Sequence, residues 1–156
     1  MKTQGVLVLL LVVTGLSEQQ CPRSWTQRDE SCYVVLDRVV TWLSAREFCE
    51  AVGGHLVEVE SADENNFLLN MLKTHGVTGA WIGLEDIIEE GRFVWTTSQK
   101  EASFTNWSTG EPDDLQGQDC VWMTNTSPFT PGAWDDADCA SYQVHAVCEQ
   151  GLLEAY

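Results

Sequence analysis

Basic residues are scarce in this chain: eight Lys and Arg stand against 24 Asp and Glu among 156 residues, a formal net charge of −16. Such a surface repels nucleic acid, heparin-like polymers and anionic membrane, so these are excluded as partners. Long apolar runs are scarcer still. The longest, Val6 to Val13, falls far short of the roughly 20 residues that a bilayer span needs, so no membrane partner is expected. The chain has no internal repeat, heptad pattern, low-complexity tract or collagen-like neck. It also lacks a nucleophile elbow, a phosphate loop, a zinc-ligand spacing and a Cys-x-x-Cys pair, which leaves no catalytic motif. His55, His75 and His145 are scattered and match no metal or catalytic spacing, so structural or exposed roles are expected for them.

What is present begins with a secretory leader. Met1-Lys2 is a short positive start, the run to Val13 is its apolar centre, and Gly15 and Ser17 are the small residues of a cleavage site. Removal of residues 1–17 leaves a mature chain of residues 18–156 with a charge of −17 and an extracellular location. That length is enough for one domain with a core. Six cysteines in a secreted chain point to three bridges, and arithmetic alone leaves every pairing open.

Local patterns predict an α+β domain. Cys21 to Cys32 reads as a small hairpin or clip, and Cys32 to Asp37 as a strand. Thr41 caps a helix with Ala45, Phe48, Cys49 and Val52 on its apolar face and Gly53-Gly54 as its stop. His55 to Val59 reads as extended. Ser61 and Glu64 form a capping box for a second helix, which carries Phe67, Leu68, Met71 and Leu72 and ends near His75-Gly76. Further strands are predicted over 80–84, 92–97, 119–123 and 145–149, with the strands following the helices. Residues 97–119 show no periodicity, and a loop of that length in a compact domain is usually functional. Trp81, Trp95, Trp107 and Trp122 are expected to pack.

The most telling stretch runs from Glu111 to Asp136. Carboxylates at Glu111, Asp113, Asp114, Asp119, Asp135 and Asp136 lie around one loop, with Cys120 and Cys139 bracketing its second half. So many like charges stay ionised together only if something neutralises them. The natural partner is a hard cation that accepts oxygen ligands, and Ca²⁺ takes about six to eight of them.

On these residues the chain resembles the C-type lectin-like domain family over about 21–150. The resemblance rests on Trp81-Ile82-Gly83-Leu84, Asn106-Trp107, Gly110-Glu111-Pro112-Asp113, Trp134-Asp135-Asp136 and the cysteine positions. Among members it is similar to the perlucin-like lectins of invertebrates. It implies two helices flanking small antiparallel sheets below a long calcium-binding loop region, with disulfides Cys21–Cys32, Cys49–Cys148 and Cys120–Cys139. By position, Glu111, Asp113, Gln118, Asp135 and Asp136 would hold the Ca²⁺ that binds carbohydrate, with a cis bond before Pro112. Asp86, Glu90, Asp114 and Asp119 would hold a second Ca²⁺.

Glu111-Pro112-Asp113 is a hybrid, because members with Glu-Pro-Asn resemble mannose binders and those with Gln-Pro-Asp resemble galactose binders. Gln118 stands where a glutamate is usual, and Asp135 where an asparagine is usual. The pair Glu111 and Asp113 offers sugar hydroxyls two acceptors and no donor, whereas Gln118 and Asp135 offer one of each. The resemblance therefore implies a lectin for mannose-type or galactose-type sugars with a weakened contact, and a role in innate immune glycan recognition.

No enzyme is expected. Glycoside hydrolysis needs one carboxylic acid protonated near neutral pH, and carboxylates on Ca²⁺ are poor acids. Single sites of this kind are weak, so a homo-oligomer would supply avidity. Phe129 is expected as a secondary sugar contact. Asn125 is expected as a glycosylation site and Asn106, in a second sequon, as the less accessible one. The rival reading is an acidic extracellular matrix or biomineral-associated calcium binder whose sugar binding is incidental.

Overall fold

A computed structural model describes residues 20–126 and 128–152. The expected leader, 1–17, lies outside them, as does Ser127 of the second sequon. In chain order the elements are β1 (Thr26–Arg28), β2 (Ser31–Val35), α1 (Trp42–Ala51), β3 (His55–Leu56), α2 (Ala62–His75), β4 (Gly79–Glu85), β5 (Val94–Trp95), β6 (Cys120–Thr124), β7 (Trp134–Ala137) and β8 (His145–Gly151). The strands join in one sheet of order β1-β2-β8-β4-β6-β7, with β3 on β8 and β5 on β4. Neighbours run antiparallel except β4 and β8. Among the described residues no helix is long and apolar enough to cross a membrane.

The α+β architecture stands, with helices and strands interleaved in place of the predicted helices-then-strands order. The difference lies in the early strands: β1 and β2 precede α1 and β3 separates the helices, and β2 and β3 both pair with β8, which returns to the middle of the sheet beside β4. Both helices start where predicted. Thr41 accepts from the Ser44 N–H at 3.3 Å, and Ser61 from the Glu64 N–H at 3.2 Å. Glu64 departs from the capping-box pattern, because its Oε2 takes the N–H of Glu60 while its Oε1 takes the Tyr33 hydroxyl at 2.7 Å. A long-range partner has drawn this side chain away from the helix cap. The stretch read as extended over 55–59 and the strand predicted over 92–97 shrink to two residues each as regular strands, although Val57 still bonds to Val147 of β8 and Gly83 of β4, and Thr96 to Gly83.

β4 is buried on both faces, which is why its sequence does not alternate in polarity. Ala80, Ile82 and Leu84 join Leu68, Met71 and Leu72 of α2 in one cluster. Trp81 faces the other way, with Trp42, Ala45 and Cys49 of α1. The sheet is thus held between the helices, and its far edge, β6 and β7, carries the loops. The disulfides are Cys21–Cys32, Cys49–Cys148 and Cys120–Cys139. Cys49–Cys148 ties α1 to β8 across 99 residues, the widest of the three loops and the one whose closure most restricts the unfolded chain.

Candidate metal centre

Trp134 positions the acidic loop. It is fully buried at the start of β7, and its Nε1 donates to Asn65 Oδ1 of α2 at 2.8 Å. The rings of Phe104, Trp95 and Trp107 meet it edge-on at 5.6, 6.0 and 6.0 Å. Its main chain pairs with the otherwise irregular loop: the Trp134 N–H donates to Asn106 O, and the Ser108 N–H to Trp134 O, both at 2.8 Å. The loop is therefore fastened to β7 immediately before its carboxylates begin.

Next along the loop, the Glu111–Pro112 bond is cis. The Asp136 carboxylate on β7 then accepts the N–H groups of Asp113 and Asp114, at 3.2 and 2.8 Å. The outcome is a convergence in which Glu111, Asp113 and Asp136 each offer a carboxylate oxygen within 4.8 Å of the others. Gln118 lies beside them, its Nε2 donating to the Asp136 carbonyl at 3.0 Å. One of its two N–H donors is thus engaged inside the loop, a commitment that donor counting from sequence did not include.

The electrostatics are those of crowded like charges. Glu111 is pushed up to about 7 by burial, with Asp135 and then Asp113 and Asp136 adding repulsion. Asp135 rises to about 6 through burial and its neighbours Asp136 and Asp113. Every ion pair found among the described residues lies elsewhere. No basic side chain relieves the cluster.

The second predicted set is assembled less completely. Asp86 is buried, its Oδ2 accepts the Gly91 N–H at 2.8 Å, and its Oδ1 has no protein partner. Burial raises it to about 7, with repulsion from Glu90 and Asp119. Its N–H bonds to the Asp119 carbonyl at 3.1 Å, which brings the two segments together. Asp114 instead uses its Oδ1 to accept the Gln118 N–H at 3.1 Å, closing its own turn.

Two features escaped the sequence reading. β7 itself was not predicted as a strand, because only its pairing with β6 reveals it. A cleft of about 350 Å³ opens beside Asp135, lined by Gln118, Trp122, Phe129, Asp138 and Tyr142 among others. Phe129, expected from the sequence as a secondary sugar contact, is among its lining residues. Trp122 and Tyr142 come from separate strand and loop segments, and no spacing signals their meeting. Both sequon amides are held by carbonyls, Asn106 by Gly132 at 2.7 Å and Asn125 by Val77 at 2.9 Å.

The sequence profile described as "Lectin C-type domain" matches residues 38–150. The alpha-N-acetylgalactosamine-specific lectin of Patiria pectinifera is 38% identical over 123 residues, covering 74% of this chain and 72% of that protein. A perlucin-like protein of Mytilus galloprovincialis is 28% identical over 131 residues, covering 82% and 81%. The crystal structure of the cow carbohydrate-recognition domain of CD23, in the presence of GlcNAc2Man3 oligosaccharide, superposes with a TM-score of 0.76 at 34% identity and covers 86% of this chain and 98% of that one. Against mammalian proteins that it also matches, the chain spans about two-fifths of their length.

Proposed function

This chain belongs to the C-type lectin domain family, a family of non-enzymatic binding domains, and from that premise we propose that it binds carbohydrate through a Ca²⁺ ion. Glu111, Asp113, Gln118, Asp135 and Asp136 would hold that ion. The observation that carries the reading is the convergence of three carboxylate oxygens within 4.8 Å, with Asp135 adjacent and, among the described residues, no ion pair to offset them. The donor set fits the ion. It is all oxygen, rich in charge, and partly desolvated, which favours a hard divalent cation over a softer one. Bound there, Ca²⁺ would offer coordination positions to two neighbouring sugar hydroxyls.

The side chains do the rest. Glu111 and Asp113 accept hydrogen bonds from those hydroxyls but donate none. Gln118 keeps one N–H to donate beside the acceptor Asp135, since its other is turned to Asp136. An all-acceptor pair on one side leaves a hydroxyl lone pair without a donor, so sugar affinity is lower than where an amide stands in place of Asp113. Asp86, Glu90 and Asp119 would hold a second ion that braces the loop against β4, and the orphaned Asp86 Oδ1 supports this. Asp114 could join them through its other carboxylate oxygen, since its Oδ1 accepts the Gln118 N–H.

The expected setting is extracellular, in recognition of microbial or self glycans, with avidity supplied by several sites per assembly. Convergence of the carboxylates favours this over the matrix or mineral reading, which calls for charges spread across a surface. A glycan array probed with calcium and again with chelator tests the proposal. Binding that is eluted by free monosaccharide and by chelator supports it. Calcium-carbonate association insensitive to sugar, without glycan binding, overturns it.

A further inference from the structure

The cleft beside Asp135 shares Gln118, Asp135 and Asp136 with the calcium set, and adds Trp122, Phe129, Asp138 and Tyr142, which coordination of the ion does not use. Trp122 forms its floor, with Phe129 at 5.8 Å and Tyr142 at 5.5 Å between ring centroids. That floor is fixed from beneath: a Cβ on Gly79 would fall 2.5 Å from the Trp122 ring, so only glycine lets the indole lie across β4. Tyr142 is wedged edge-on against Trp81 at 5.7 Å and stays 39% exposed at the rim. Asp135 is the β7 residue opposite Trp122 in the ladder, so both point to the same face. Asp138 stands exposed at the mouth, where its Oδ1 is oriented by the Ser141 hydroxyl and N–H and by the Ala140 N–H, at 2.6, 2.7 and 3.1 Å.

Aromatic rings joined to carboxylates, with no Lys or Arg in the lining, make a binding environment for one kind of substituent. Sulfate, phosphate and carboxylate groups are repelled by Asp135 and Asp138. A cation gains from both the ring quadrupoles and the carboxylates. Four carboxylates around one divalent ion would still leave the neighbourhood negative, so calcium does not reverse this preference.

We propose that this cleft seats an ammonium group of the ligand, so that the site prefers an amine-bearing glycan to its neutral N-acetylated form. The proposal deepens the calcium-dependent sugar reading and rests on it. Two sources supply the group: a free-amine hexosamine, or a quaternary ammonium headgroup linked to a glycan.

NMR titrations of the full chain in calcium separate the possibilities, with glucosamine, N-acetylglucosamine and choline chloride as probes. Glucosamine is expected to bind about fivefold more tightly than N-acetylglucosamine. Binding of choline as well assigns the cleft to ammonium groups in general, whereas binding of glucosamine alone confines it to amino sugars. Tyr142→Leu, with calcium uptake as the check on its fold, should bring the ratio close to one. Asp138→Asn, which disturbs no packing, should reduce it by about half. Equal binding of the two hexosamines, or an unchanged ratio in both variants, overturns the proposal. Methyl mannoside and methyl galactoside stand apart as neutral probes: their failure to bind in calcium sinks the underlying sugar reading, while their success beside equal hexosamine binding sinks the cleft alone.

Discussion

The two acidic groups of the loop region are built from the same residue types but assembled differently. Glu111, Asp113 and Asp136 converge because Trp134 anchors the loop to β7 and Asp136 takes two N–H groups from the opposite segment. Asp86 and Asp119 are joined by one main-chain bond beside β4 and β6, Glu90 lies in the turn that Asp86 closes by accepting the Glu89 and Gly91 N–H groups, and Asp114 accepts from its own turn. A carboxylate cluster is preorganised when its backbone is held by bonds that do not depend on the cluster itself. In the first group the main-chain bonds of Trp134 meet that condition, while the bonds to Asp136 come from the cluster itself; in the second the bond from the Asp86 N–H to the Asp119 carbonyl meets it, and Asp114 is held only within its own turn.

That contrast breaks most decisively at the first group. Glu111→Gln combined with Asp136→Asn should weaken calcium uptake by at least about 100-fold, because affinity in oxygen cages follows ligand charge. Calorimetric titration of the double variant decides it, and calcium binding equal to that of the parent chain would remove the basis of the proposed function.

The pH dependence of stability comes next in size. Glu111, Asp135 and Asp86 have folded pKa values of about 7, 6 and 7, above their ordinary values of 4.5, 3.8 and 3.8. Without calcium the folded chain therefore holds more protons than the unfolded one between about pH 4 and 7, and these groups lower stability as pH rises through that window. Calcium acts in the opposite sense, since it binds the ionised forms. At a fixed concentration about 100 times its Kd at pH 8 it should add about 2.7 kcal/mol there, or on the order of 5–10 °C in Tm, and this increment should shrink toward pH 5 as Kd rises. Thermal scans with calcium and with chelator at the two pH values check both signs.

A smaller effect separates the groups. Asp86→Asn should stabilise the chain in chelator at pH 8 by about 1 kcal/mol, because it removes a buried like charge while an amide can still meet the Gly91 N–H only through its oxygen. In calcium the same change should lower the Tm. Denaturant titration under both conditions measures it, and an equal shift in both would show that the second group takes no ion.

The smallest expected change is in sugar choice. Asp113→Asn supplies the missing donor and should strengthen mannose binding relative to galactose by about threefold to tenfold, the worth of one hydrogen bond. Competition by the two monosaccharides reads this directly.

Much of the body was legible because its signals are local. Thr41 and Ser61 cap their helices within three residues, and the apolar positions of α2 repeat at the helical period. The motif around Glu111 was legible through resemblance, as were the disulfide pairs. The strand β7 was not, because Trp134-Asp135-Asp136 alternates buried and half-buried positions too briefly to stand out from a loop. Glu64 was misassigned in part because Tyr33 lies 31 residues away and competes for its carboxylate. Gln118 was counted as a free donor because no local rule reveals its bond to the Asp136 carbonyl.

The sequence by itself determined the charge of the molecule, the starts of its helices and the oxygen-donor character of the loop. These depend on composition and on neighbours along the chain. Tertiary structure alone decided which carboxylates meet, that β8 enters the middle of the sheet, and that Trp122, Tyr142 and Asp135 share one cleft. Those outcomes depend on strand pairing and on the packing of Trp134, which join segments that carry no mutual signal until the core closes around them.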